Sequence, residues 1–291
     1  MKFYIIGNGF DLHYGLKTQY YHFKEFLSNI NHEIVEKIDD LFDRYGCCIQ
    51  DEEKTWSDFE SNLVVFTQLD PDEIYSEVFE NSEYDIEKSA YWTDPLFNAD
   101  YYTEYINLLH ENFNQWINSI ETKITNDNIF SFNKNDFFLI FNYTDTIEKN
   151  FKISSKQVLH IHGKQGAKII VGHNCNSKPD LLKITKNKDS DYRDISASER
   201  INSILKNSAK LYYKNSESII KKYKNKFNSI KNYEEVVFIG FSCGEEDELY
   251  VREVFKYAKK ITFYYHTEKD INNFTKLAKK HMFKYFNIIK W

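Results

Sequence analysis

The sequence predicts an α/β fold, a mostly parallel open sheet with a large helical insertion. Three observations predict it. An apolar run at the start, Phe3 to Ile6, breaks into Gly7-Asn8-Gly9, as a buried strand does when it turns into a helix in an open sheet. A long stretch of helical periodicity follows, from about residue 18 to 128. The C-terminal part then alternates strand and helix patterns at short spacing, which implies parallel strands joined by right-handed crossovers.

Taken in order, Asp11 to Leu16 predicts a short helix that Gly15 closes. Thr18 reads as an N-cap, and Tyr20, Phe23, Phe26, Leu27 and Ile30 follow at helical spacing. Ile34, Ile38, Leu41, Phe42 and Tyr45 repeat the pattern, with Gly46 as its stop. Ser57-x-x-Glu60 is a capping-box signature. Asp70-Pro71 opens a helix with Pro71 at its first position. Asp100 reads as the cap of a long helix through Leu108, Phe113 and Trp116.

Strand patterns return at 136–141 (DFFLIF), 157–162 (QVLHIH) and 168–171 (KIIV). Apolar residues from Ile201 to Phe227 predict one long helix or two. The end reads strand 235–241, helix 245–260, strand 261–265, helix from Ile271 to Ala278, and a last strand at 285–291. No linker composition interrupts this, so residues 1–291 are read as a single domain. It carries the insertion at about 18–128 and a second helical segment at about 195–230.

Composition bounds the function. The chain has 291 residues, 42 % of them hydrophobic, enough to bury a sizeable core. A net charge of −6 argues against a global nucleic-acid footprint, and the lysines between Lys206 and Lys226 read as a solvated helix face. Cys47, Cys48, Cys175 and Cys243 form no CxxC and suggest no disulfide framework, which fits a reducing cytoplasm. The first apolar run stops at Gly7, too early for a secretory leader, and no run nears a membrane span. A cytoplasmic protein without a membrane partner is the expectation.

Chemistry should sit at the carboxyl ends of the strands. Four such ends are polar: Gly7-Asn8-Gly9-Phe10-Asp11, Asn142 to Asp145, His160 to Gly163, and Gly240 to Asp247. Gly7, Gly9 and Gly15 do not fit GxGxxG, and no second strand follows about 20 residues later, which argues against a hydride-transfer enzyme of the usual type. Structural readings stand beside the functional one. Glu245, Glu246 and Asp247 in a first helical turn also offset the helix dipole, and Asn142 also suits a plain turn. His160 and His162 alternate on one strand face, as satisfied core histidines would. With His173 and Cys175 they would make four zinc ligands, but the spacing matches no zinc pattern.

Four stretches resemble the bacterial AbiH family of phage abortive-infection proteins, and the helical section between them adds little beyond one short piece. The four are IIGNGFDLHYGLKTQYYHF from Ile5, FNYTDTIE from Phe141, HIHG from His160 with IIVGH downstream, and VFIGFSCGEEDELY from Val237; the short piece is WSDFE from Trp56. A more distant similarity is to sirtuins and sirtuin-like defence domains. It implies a Rossmann-like, NAD-binding fold. By that similarity Asn142 matches the Asn at the nicotinamide ribose and His162 the catalytic His of His-Gly. Gly7, Gly9 and Phe10 match the loop over the dinucleotide, and Gly240 and Ser242 the Gly-x-Ser at the cofactor. Asp11 stands where sirtuins have Ser, Thr144 where they have Asp, and no four-cysteine zinc ribbon exists.

The resemblance implies an anti-phage protein that hydrolyses NAD+ to nicotinamide and ADP-ribose, with NAD+ as substrate and no prosthetic group or metal. Amides from Gly7 to Phe10 would hold phosphate, and Asn142 would orient the ribose. His162, with an ordinary pKa near 6.5, would be general base. Asp11 would stabilise the cationic sugar. Asn8, Thr144 and Asp247 complete the expected binding set. A phage-derived trigger and self-association are the further partners this reading allows. The alternatives are a nucleotide sensor without turnover, binding NAD or ADP-ribose, and a nucleic-acid-directed toxin using the lysines from 206 to 226.

Overall fold

The computed structural model describes residues 1–45, 56–80, 95–124, 130–175, 178–182 and 192–291. The expected helix stop at Gly46 and the pair Cys47-Cys48 lie outside them. The chain forms two compact units. One comprises Met1–Phe23, Asn114–Ile170 and Asn215–Trp291; the other comprises Lys24–Phe113 and Val171–Lys214.

The first unit holds the sheet. Its strands are β1 (Lys2–Ile6), β2 (Phe137–Ile140), β3 (Val158–His160), β4 (Glu235–Ile239), β5 (Ile261–Tyr265) and β6 (Phe286–Lys290). They lie in the order β3-β2-β1-β4-β5-β6, and every pairing is parallel. In β1, Ile5 pairs with Leu139 on one side and Phe238 on the other. The order therefore reverses across β1 and β4.

Helices follow in the order α1 (Gly9–His13), α2 (Tyr20–Ile30), α3 (His32–Tyr45), α4 (Phe59–Asn62), α5 (Pro71–Glu80), α6 (Pro95–Ser119), α7 (Thr146–Phe151), α8 (Tyr192–Leu211), α9 (Ser216–Lys222), α10 (Lys224–Ser229), α11 (Glu248–Tyr257) and α12 (Glu268–Lys280). The central strands read as unbroken apolar runs because both sheet faces are covered. Phe3, Ile5, Leu139, Phe238 and Phe263 face one core with Ile219, Phe227, Val254 and Phe274 from α9 to α12. Tyr4, Ile6, Phe138, Ile140 and Ile239 face a second core with Phe10 and Tyr14 of the first turn and Ile147 of α7. No helix among the described residues is long and apolar enough to cross a membrane.

The second unit is helical and builds its own aromatic core. Trp56 stacks on Phe59 at 5.5 Å between ring centroids, Phe59 on Phe113 at 6.0 Å, and Phe66 on Tyr212 at 4.8 Å. The Trp56 indole donates to Asp39 at 2.7 Å, and Lys24 pairs with that carboxylate at 2.8 Å. The WSDFE stretch thus anchors this core through Trp56 and Phe59.

Three expectations are corrected. The segment 168–171 is not a strand. The chain turns at Gly163 (φ +85°), and the Ile170 amide donates to the His162 carbonyl at 2.8 Å, so Ile169 and Val171 bury themselves without joining the sheet. Asp100 does not cap the long helix, which starts five residues earlier at Pro95, a residue suited to a first helical position. The histidine strand ends at His160, so His160 and His162 do not alternate on one strand face.

Candidate functional site

The Gly7-Asn8-Gly9 turn lies at the carboxyl end of β1, beside the end of β4. Its amides are already bonded within the chain. Gly7 donates to the Ile239 carbonyl at 3.0 Å, Gly9 to Gly240 at 2.8 Å, and Phe10 to Gly7 at 2.9 Å. A Cβ on Gly7 would meet the Gly240 oxygen at 2.4 Å, and one on Gly240 would meet the Phe10 nitrogen at 2.1 Å. Three glycines are needed because two backbones touch here. The Gly7, Gly9 and Phe10 amides, expected to hold phosphate, thus each have a backbone partner within the chain. Phe10 itself is wholly buried, against Tyr14 and Phe151, and belongs to the core. Asn8 donates its side-chain amide to the Thr18 carbonyl at 2.8 Å, tying the turn to the start of the insertion.

One residue on, α1 places Asp11 among polar groups from the ends of β2 and β3. Asp11 is wholly buried, and Thr144 donates its hydroxyl to Oδ2 at 2.5 Å. Thr146 in turn donates to the Thr144 hydroxyl at 3.1 Å. The second oxygen, Oδ1, is buried without a hydrogen-bond partner. Burial pushes the Asp11 carboxyl up to about 6, against the pull of Thr144, Thr146, Asn142 and the nearby His160. Asn142 is buried too, and its own Oδ1 has no partner.

The histidine in this cluster is His160. Its Nδ1 lies 3.2 Å from the Asn142 carbonyl and its Nε2 lies 3.0 Å from Glu148 Oε1. Both ring nitrogens thus face oxygen atoms, which fixes the ring between Asn142 and Glu148. Lys164 donates to the same Glu148 oxygen at 2.8 Å. Burial alone would raise Glu148, but His160 and Lys164 outweigh it and hold the carboxyl at about 2. Glu148 Oε2 is a third buried oxygen without a partner. Lys164, Glu148 and His160 are thus linked through Glu148 Oε1, beside the buried Asp11.

His162 has different neighbours. It is buried, its Nε2 lies 3.2 Å from the Tyr250 hydroxyl, and its ring meets Phe141 and Tyr250 edge-on at 5.5 Å. The chain leaves the sheet after His160, so a ring two residues on points to another set of contacts. Ser242 is exposed at the β4 end, and its carbonyl accepts from Asn273 at 3.0 Å. Asp247 stands before α11 as its N-cap residue.

The structure therefore brings Asp11, Asn142 and Thr144 together, and Gly7, Gly9 and Gly240 together. Glu148, Thr146, Lys164 and Tyr250 are additions. Glu148 carried a weak sequence signal, since it lies in FNYTDTIE and falls in the first turn after a strand. Among the described residues, no group of three or more His, Cys, Asp or Glu side chains is placed to hold a metal ion.

Residues 3–266 match the family model described as bacteriophage abortive infection AbiH, and the chain belongs to that family. No curated protein and no solved structure matches the chain.

Proposed function

We propose that this AbiH-family phage-defence protein acts by hydrolysing NAD+ at the carboxyl ends of β1, β2 and β3, in a Rossmann-like, sirtuin-like cleft. The observation that carries the reading is Asp11. A carboxylate buried with one oxygen unbonded is costly, and here it stands next to Asn142, whose oxygen is also unbonded. Such a pair suits a ligand that brings hydrogen-bond donors, as a ribose does. The sheet supports the reading as well, because an open parallel sheet binds ligands outside the carboxyl ends of its strands.

Cleavage of the nicotinamide–ribose bond builds positive charge on the sugar. Asp11, ionised above about pH 6, supplies a negative charge in a site of low dielectric. Asn142 orients the ribose. The His160–Glu148 pair fixes the Asn142 backbone, and so acts as a positioning group. His162 keeps the role of general base by its place in the His-Gly pair, with Tyr250 as its hydrogen-bond partner. Ser242, Thr144 and Asp247 remain binding candidates, and the pyrophosphate is left to groups other than the Gly7, Gly9 and Phe10 amides.

The test follows nicotinamide release from NAD+ by the purified full-length chain and in phage-infected cells that express it. Asp11→Asn, Asn142→Ala and His162→Ala should each lower release at least tenfold. Release unchanged in all three sinks the assignment. Tight binding of NAD+ or ADP-ribose with no release, even in infected cells, replaces it with the sensor reading.

A further inference from the structure

We propose that the segment from Lys221 to Lys231 is a docking surface for the phosphate backbone of double-stranded nucleic acid. The stretch reads KKYKNKFNSIK. It has five lysines and no carboxylate, in a chain whose net charge is −6. All five lysines are exposed.

The platform beneath them is fixed. The segment spans the end of α9, all of α10 and the 3-10 turn Ile230–Asn232. Ile219, Phe227 and Ile230 bury the underside in the sheet core, and Ile230 is 0 % exposed. Lys226 lies over the ring of Phe137, the first residue of β2, at 4.5 Å. The surface therefore sits at the amino end of the sheet, away from Asp11 and Asn142 at the carboxyl end.

These five lysines are clustered, exposed and, among the described residues, unpaired, whereas several others are held by carboxylates. Lys2, Lys24, Lys149, Lys164, Lys214, Lys260 and Lys280 each meet a carboxylate within 4.0 Å. Among the described residues no such ion pair forms at Lys221, Lys222, Lys224, Lys226 or Lys231. The nearest helical neighbour of opposite sign, Glu217, lies one turn before Lys221. A surface left unpaired this way attracts a polyanion through counterion release.

The surroundings choose among polyanions. A membrane-binding helix needs exposed apolar residues beside its lysines, and single strands are held by exposed aromatic rings that stack on bases. Among the described residues, the large exposed hydrophobic ones are Met1, Tyr21, Ile30, Leu181, Met282, Tyr285 and Ile289, and none lies in this segment. Asn225, Asn228 and Ser229 sit between the lysines instead, and these are residue types that contact phosphates and sugars.

The experiment titrates the full-length chain with a short random-sequence duplex at several salt concentrations. Three to five phosphate contacts should give a slope of log affinity on log salt between about −3 and −4.5. Lys221→Gln, Lys222→Gln, Lys224→Gln and Lys231→Gln together should weaken binding at least tenfold and flatten that slope. A charge-matched control, Lys156→Gln with Lys269→Gln, Lys279→Gln and Lys284→Gln, should leave both unchanged. Absent duplex binding overturns the proposal, as does an equal loss in both variants. Tighter binding of the matching single strand, of phosphatidylserine vesicles or of poly-glutamate also overturns it.

Discussion

The Gly9 amide donates to the Gly240 carbonyl at 2.8 Å, and no side chain lies between the two backbones. This contact closes the end of the seam between β1 and β4, where the strand order reverses. It explains why the turn after β1 and the turn after β4 both need glycine, although 231 residues separate them in the chain.

Gly240→Ala is expected to destabilise the chain strongly. Its φ of +60° disfavours any side chain, and the new Cβ would press on the Phe10 nitrogen. The two effects together cost roughly 3 kcal/mol. Gly15→Ala shares the positive φ of +76° but has nothing within 4 Å, so it should cost only about 1 kcal/mol. Denaturant midpoints of the two variants measure the difference.

Asp11 should give the fold a distinctive pH dependence. Burial raises its pKa from 3.8 to about 6. The folded chain therefore holds the proton where the unfolded chain has lost it. The contribution of this group to stability falls as pH rises from about 4 to about 6, and the full cost applies above that. Asp11→Asn removes the charge and should be the more stable protein at pH 7, by about 2 kcal/mol. Thermal midpoints of both proteins from pH 4.5 to 7.5 should diverge; parallel curves reject the assignment.

Glu148 behaves in the opposite sense. Its pKa is held at about 2, so its contribution is present above pH 4.5 and is lost as pH falls toward 2. Glu148→Gln removes the charge that both His160 and Lys164 contact and should cost about 2 kcal/mol at pH 7. Lys164→Gln should cost less than about 1 kcal/mol, because the Lys164 side chain is 36 % exposed. If the His160–Glu148 pair positions Asn142, nicotinamide release should also fall in Glu148→Gln far more than in Lys164→Gln.

The helical unit makes a separate prediction. Lys214 and Glu60 form an ion pair at 2.7 Å, with side chains only 4 % and 15 % exposed. Lys214→Met removes the cation closest to the half-buried Glu60 and should cost about 3 kcal/mol. Adding Glu60→Gln should restore most of it, and a double-mutant cycle reads the coupling directly. A purely additive cycle would show that the pair contributes nothing of its own.

The parallel sheet was legible in the sequence because its strands are apolar on both faces. Phe3 to Ile6 and Val236 to Ile239 cannot be half-exposed, so helices had to cover them. The Asn142 and Thr144 end was legible for a related reason, as polar residues that follow at once on a buried run. Which of His160 and His162 lies beside Asn142 was not. It depends on the strand ending at His160, and a one-residue shift in that boundary changes what each ring faces. Nor could the pairing of Gly9 with Gly240 be read, since local pattern says nothing of contacts between distant segments. The Glu60–Lys214 pair was hidden for the same reason. Both residues look like ordinary surface charges until the fold buries them.

The central place of β1 also governs when the chain can fold. This strand is the first to be synthesised, yet its two neighbours are residues 137–140 and 235–239. At ordinary rates of translation, on the order of ten residues per second, it waits on the order of tens of seconds before both sides can pair. During that interval an apolar segment with two open edges is exposed on the nascent chain. Such non-local pairing slows folding and invites aggregation. Yield from cells should therefore depend more on chaperone supply and growth temperature than on the stability of the finished protein.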